Sequence, residues 1–322
     1  MQTTASYDLV LASPYRYDFF AHHMSQLCGQ MRISFLVVND LWVHAFTAKL
    51  RAGEVEAKVL LDLANTQAIP DNPYTVLARE ARDRGTYLLD EPERTAEVTH
   101  KGYSHEALAE NKVSVPESIV VPRDDVTDFV LSEDAKKRIG IPFVVKPARG
   151  SGGFGVTMNG RSEEDLRRCA RECPDADAFL IQKQLTIQDL GKQKGWFRLF
   201  YICGTVIACW WDTETHEYRM VRPSQIKEYK LNELRRIMRG IARITKLKKF
   251  SSEICLDTDG DFYAVDYVNA CPDMNPRSFY ANGVPDEVVR YIVWLLFTEA
   301  MQTVKRGQGF FDQELQDSES AG

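Results

Sequence analysis

Lys146 closes a short apolar run, Phe143 to Val145, and is followed by Gly150, Gly152, Gly153 and Gly155 around Ser151. Glycines leave the backbone N–H groups of such a loop open to close approach by an anion, and the lysine adds a point charge beside them. Together they suit a polyphosphate. Neither the P-loop order, with Gly-Lys-Ser/Thr closing onto a helix, nor the dinucleotide spacing GxGxxG is present. On its own such a loop is more often a flexible hairpin turn. A second group of residues supplies complementary chemistry. Glu253 lies in one predicted strand, SSEICLD, and Asp266 and Asn269 in its antiparallel neighbour, DFYAVDYVN, with Thr258, Asp259 and Gly260 at the turn. Two carboxylates and an amide oxygen are the hard ligands Mg2+ takes, commonly with phosphate oxygens completing its shell. A solvated acidic face is the plainer alternative, but Asp266 interrupts an apolar strand, where a lone carboxylate is costly.

The elements that must position these groups follow from periodicity and caps. Residues 7–13, 31–39, 59–63 and 87–89 read as strands, with a helix-length stretch after the first and a helix at 74–84 closed by Gly85. Strand, helix, strand order predicts a parallel sheet, so 1–103 is expected to form a small α/β domain. Residues 104–186 are expected to form a small lobe bearing the glycine-rich loop. Its helices begin at Ser104, at Glu133 and after Ser162, where Glu163, Glu164 and Asp165 suit a helix N-terminus. Its strands lie within 113–121, at Lys146 and at 179–182. Residues 187–311 are expected to form a larger lobe. It holds a hairpin at 196–211 turning at Gly204 and Thr205, a helix at 231–246, the acidic hairpin and an amphipathic helix at 285–305. Residues 312–322 are acidic and rich in small residues, and are expected to be disordered.

At 322 residues, 44% hydrophobic and 27% charged, the composition is that of an ordinary globular protein. A net charge of -6 without a long basic block argues against a dedicated nucleic-acid binder. No stretch is apolar enough to span a bilayer and the first residues lack a signal-peptide pattern, so a cytoplasmic protein without membrane partners is expected. The seven cysteines are scattered, with no CxxC; Cys169 and Cys173 are read as free thiols of a reducing compartment.

In its ordered motifs the chain resembles the ATP-grasp family over about residues 85–300. Lys101 stands fifteen residues before Pro116 in VPES; FVVK is followed by PARGSGGFGV; FLIQKQL is similar to the family's hinge strand; WFRLFYICG carries a central arginine; and the acidic strand pair ends in Asn269-Ala-Cys-Pro272. The resemblance implies a mixed α/β (α+β) architecture, the ATP-grasp fold, with a small N-terminal parallel α/β domain and two α+β lobes sandwiching ATP. It implies that Lys101 and Lys146 bind phosphates, that the loop with Ser151, Gly152 and Gly153 folds over them, and that Gln182, Lys183 and Leu185 line the adenine. Glu253, Asp266 and Asn269 would hold one or two Mg2+, with Mn2+ an alternative. Arg198 would reach a phosphate or acyl phosphate, or else form an edge-strand ion pair; Arg277 would clamp a substrate carboxylate.

Two departures stand out. The family's last motif is Glu-x-Asn, whereas Asp266-Tyr-Val-Asn269 has an odd spacing that needs a bulge to aim both groups at one metal. Asp257 is a rival to Glu253 as the first acidic ligand. Trp196, two residues before Arg198, stands where relatives that ligate amino acids often carry an acid. The implied activity is ADP-forming ligation of a small-molecule carboxylate to an amine, amino acids or a peptide included, through an acyl phosphate. A small-molecule kinase on the same scaffold and a non-catalytic ATP-binding protein are the alternatives. Dimers are common among relatives, so a homodimer is within expectation.

Overall fold

Alternating strands and helices open the chain. The computed structural model describes residues 4–14, 18–150 and 152–319, with side chains as far as Lys305. β1 (Ala5–Ala12), α1 (Phe19–Met31), β2 (Phe35–Val38), α2 (Val43–Ala52), β3 (Val55–Asp62), α3 (Pro73–Asp83) and β4 (Tyr87–Leu88) follow one another. The strands lie in the order β2-β1-β3-β4, all parallel, with Leu9 facing both Phe35 and Val59. Helical connections allow this order, because a parallel pair cannot be joined by a tight turn. Asp18 caps α1 by accepting from Ala21 N, and Asn72 caps α3 ahead of Pro73. α2 has no counterpart in the sequence reading; its Val43, Phe46 and Leu50 recur at helical spacing and are buried with Val10, Leu60 and Leu77. Because α1 extends to Met31, β2 starts at Phe35 rather than at residue 31.

The chain continues through α4 (Pro92–Val98), α5 (Lys101–Glu110), β5 (Ser118–Pro122), α6 (Glu133–Ile139), β6 (Phe143–Pro147), β7 (Thr157–Gly160), α7 (Glu163–Glu172) and β8 (Ala178–Lys183). β9 (Asp189–Leu190) and β10 (Gln193–Lys194) make a two-stranded ladder. Then come β11 (Trp196–Ile202), β12 (Thr205–Trp211), β13 (Tyr218–Met220), α8 (Pro223–Glu228), α9 (Asn232–Thr245), β14 (Lys249–Leu256) and β15 (Phe262–Asn269). The first sheet runs β5-β8-β6-β7 and is antiparallel; the second runs β13-β12-β11-β14-β15. Ser162 and Asp165 form a capping box on α7, as the sequence suggests. The turn between β11 and β12 is one residue earlier than expected, with Cys203 (φ 47°) and Gly204 (φ 90°) both left-handed, as a two-residue hairpin turn requires.

Two compact units result: residues 1–93, 202–205 and 271–322, and residues 94–201 with 206–270. These borders differ from the sequence division at 103, 186 and 311. The reason lies in the packing, since Leu108, Ala148 and Leu180 share one core with Phe197, Ile237, Ile254 and Tyr267. A second core of the same unit lies under β6 and α7, around Phe143, Val145, Leu166 and Phe179. The last helix, α10 (Asp286–Glu319), belongs to the first unit and packs on α1 and β3. It runs through 312–319, where disorder was expected; Gln, Glu and Leu there are good helix formers. All seven cysteines are free thiols. Among the described residues no helix is long and apolar enough to cross a membrane.

Candidate active site

β14 and β15 bring the predicted oxygen ligands together. Glu253 is the register partner of Asp266, and Ser251 that of Asn269. Two steps along β14 therefore match three along β15, and this is the bulge that the odd spacing demands. Directly opposed residues share a sheet face, and Ser251 and Glu253, two apart, share one as well. Asp266 and Asn269 consequently lie on one face. A second irregularity follows, since Ile254 pairs with Ala264, leaving Val265 extra. Asp257 is not part of this arrangement: its Oδ1 accepts from Asp259 N (2.9 Å) and Thr258 Oγ1 (3.2 Å) and so shapes the hairpin turn.

Arg198 and Trp196 project from β11, the strand beside β14. Arg198 Nη2 lies 3.3 Å from Glu253 Oε1, and Trp196 Nε1 donates to Glu253 Oε2 at 3.1 Å. The arginine sits 5.2 Å over the Trp211 ring. It forms a half-buried ion pair in a central strand, not the edge-strand alternative. Burial works against its charge, yet Glu253, Tyr218 and Asp266 together more than offset this and raise its pKa. Burial also raises the Glu253 carboxyl, with Asp266 adding to the effect and Arg198 opposing it. Burial would raise Asp266 too, but Lys101, Lys146 and Arg198 together hold it below the usual carboxylate range.

The two lysines reach the same place from α5 and β6. Lys101, at the first position of α5, donates to Gly150 O at 2.7 Å and stands 3.7 Å from Asp266 Oδ1. Lys146 is buried in β6 and donates to Val265 O (2.6 Å) and Gln182 Oε1 (3.0 Å). Burial pushes its ammonium down to about 8, against the pull of Asp266. Gly152 and Gly153 adopt φ of 65° and 73° in the loop that follows; Ser151 lies outside the described residues. Arg149 anchors the base of that loop, donating to Ala96 O at 3.0 Å and lying 3.4 Å from Asp177.

The Gln182 side chain is held within the protein. Besides accepting from Lys146, it donates to Ser118 Oγ (3.1 Å) and Tyr267 Oη (3.0 Å), so its amide is fully engaged within the protein. Lys183 N donates to Glu117 O at 2.8 Å, and Lys183 and Leu185 are half-buried at and just past the end of β8. Arg277 belongs to the first unit, where its N–H donates to Val284 O at 2.8 Å. Sequence reasoning missed Tyr267, His105, Ser118 and the contact of Trp196 with Glu253. A tyrosine inside the apolar strand β15 was the one available signal.

No family model and no curated protein matches the chain by sequence. Solved structures do. A RimK domain ATP-grasp protein from Sphaerobacter thermophilus is 18% identical, with 89% of this chain and 99% of that one covered and a TM-score of 0.59. D-cycloserine synthetase DcsG is 16% identical, with 91% and 99% covered and a TM-score of 0.63. The ATP-grasp ligase PsnB, complexed with minimal precursor, Mg and ADP, is 16% identical, with 92% and 98% covered and a TM-score of 0.58. The chain has the ATP-grasp fold.

Within this ATP-grasp fold the donor set suits a hard divalent cation. Its members are oxygens only, two carboxylates face each other, and Ser251 Oγ, opposite Asn269, is buried without a hydrogen-bond partner. Among the described residues no three histidine, cysteine, aspartate or glutamate side chains are grouped for a metal. A cation held by Glu253, Asp266 and Asn269 would thus need further oxygens, such as those of a phosphate chain. Lys101 and Lys146 could hold that chain, since an ammonium has three donors and Lys146 commits two to the protein.

Proposed function

We propose that the chain is an ATP-dependent carboxylate–amine ligase that forms an amide through an acyl phosphate and releases ADP and phosphate. The observation that carries this reading is the opposed pair Glu253 and Asp266 with Lys101 3.7 Å from Asp266, on an ATP-grasp fold. Lys101 and Lys146 bind the phosphates and neutralise charge as the phosphoryl group moves to the substrate carboxylate. Mg2+, one ion or two with Mn2+ an alternative, bound by Glu253, Asp266 and Asn269, supplies further charge neutralisation. The loop of Gly152 and Gly153 excludes water, to which an acyl phosphate would be lost. Backbone groups at Lys183 and Leu185, rather than the Gln182 amide, meet the adenine. Arg198 holds the Glu253 carboxylate in place, and Arg277 takes the substrate carboxylate.

Among the similar structures, PsnB is described with a precursor peptide and DcsG as a D-cycloserine synthetase. We extend that range to this chain: its substrates are amino acids, other small carboxylates and amines, or a peptide, met in the cytoplasm. The test is incubation with Mg2+, ATP and pooled carboxylates and amines, reading ADP and free phosphate, with Lys146→Ala as control. Substrate-dependent ADP with free phosphate, lost in the variant, supports the ligase. ADP without free phosphate makes it a kinase, and AMP with pyrophosphate overturns the acyl-phosphate route.

A further inference from the structure

Beneath Lys146 lies a one-directional chain of buried and half-buried hydrogen bonds. Lys146 Nζ donates to Gln182 Oε1 (3.0 Å); Gln182 Nε2 donates to Tyr267 Oη (3.0 Å) and Ser118 Oγ (3.1 Å); Ser118 Oγ donates to Pro116 O (2.9 Å). Tyr267 Oη lies 3.0 Å from His105 Nδ1. Burial holds His105 down to about 4, so its ring is neutral and one nitrogen can accept the tyrosine proton. Every donor and acceptor of the Gln182 amide is thereby assigned, and only one amide orientation satisfies the set. Tyr267 is fully buried, and its ring lies 5.5 Å below the ammonium. The remaining contact, Val265 O at 2.6 Å, comes from the extra residue of the second β15 irregularity. Both irregularities that flank Asp266 therefore deliver a group to Lys146 or to its partner.

We propose that Tyr267, Gln182 and the Val265 carbonyl form a cradle that positions Lys146 for a nucleoside triphosphate. The extra residue Val265 serves this cradle, and the bulge between Asp266 and Asn269 serves the face that carries those two side chains. Tyr267 and Gln182 are positioning residues: they act through Lys146 and touch neither base nor phosphate. This rests on the nucleotide reading above, and a lysine held by neutral groups loses no charge to a salt bridge while its direction is fixed.

The test is a double-mutant cycle on the full chain. Calorimetry measures the affinity for Mg·ATP, and competition measures that for adenosine, in Tyr267→Phe and Gln182→Met, each alone and combined with Lys146→Met. Tyr267→Phe removes one oxygen only, and thermal melting checks that both variants fold. Each single variant is expected to weaken Mg·ATP binding on the order of tenfold, leave adenosine unchanged, and add nothing once Lys146 is gone. Losses that multiply in the combined variants, or equal weakening of adenosine, overturn the cradle while leaving the nucleotide site standing. Failure of the unsubstituted protein to bind Mg·ATP overturns both.

Discussion

Glu253 and Asp266 are a cross-strand pair of like charge, with Arg198 3.3 Å from the first and Lys101 3.7 Å from the second. Directly opposed carboxylates destabilise a ladder unless a cation lies between them. Glu253→Gln and Asp266→Asn should each lower kcat/KM for ATP by on the order of a hundredfold. In both, the Mg2+ concentration needed for half-maximal ADP formation should rise; a steady-state Mg2+ titration measures it.

Lys146 gives a pH dependence of definite sign. In the free protein burial lowers its pKa to about 8, and bound polyphosphate favours the charged form, raising it again. Binding near pH 8 must therefore take up a proton, and affinity for ATP should fall as pH rises through 8. Calorimetry in two buffers of different ionisation enthalpy should report proton uptake at pH 8 that vanishes in Lys146→Met.

Arg198→Ala leaves the half-buried Glu253 beside Trp196 without its cation, which should destabilise the fold on the order of 2 kcal/mol. Arg198→Lys keeps the charge and should recover most of that loss. Urea unfolding of the two variants tests the ion pair independently of any substrate.

Glycines of one loop should respond unequally to alanine. A Cβ on Gly155 (φ +72°) would meet Cys173 Sγ at 2.2 Å, whereas Gly152 and Gly153, also at positive φ, have open space around them. Gly152→Ala should carry only the backbone strain of about 1 kcal/mol, and Gly155→Ala should add an overpacking penalty of about 1–3 kcal/mol. Thermal melts of the two variants should separate accordingly.

Arg277→Ala should raise KM for the carboxylate substrate about tenfold while ATP affinity stays unchanged, as expected when a charged hydrogen bond to one substrate is lost. Steady-state kinetics with each substrate varied in turn decide it.

The odd count in Asp266-Tyr-Val-Asn269 made its bulge legible, because side chains alternate along a strand and two ligands on one face cannot otherwise be three apart. Lys146, Glu253 and the cap at Ser162 were legible for similarly local reasons, and Lys101 only through the family resemblance. Gln182 was not. Its side chain is claimed by Lys146, 36 residues away, through the β6–β8 register, and no local pattern encodes that pairing. Tyr267 and His105 met the same obstacle across 162 residues. α2 escaped notice because Val43, Phe46 and Leu50 alternate with polar residues that blur the apolar stripe over ten residues. The unit borders at 93 and 270 depend on which side chains share a core, a property of packing and not of composition.

The paired irregularities of β15 make length, as well as residue identity, a quantity this strand must preserve. Deleting Val268 would leave Asp266-Tyr267-Asn269, in which alternation alone keeps the two polar side chains on one face and Tyr267 on the other. Deleting Val265 would instead shift the backbone carbonyl that Lys146 meets. Length therefore matters most on the Val265 side of Asp266, where a lost residue moves a main-chain oxygen that no exchange of side chains can put back.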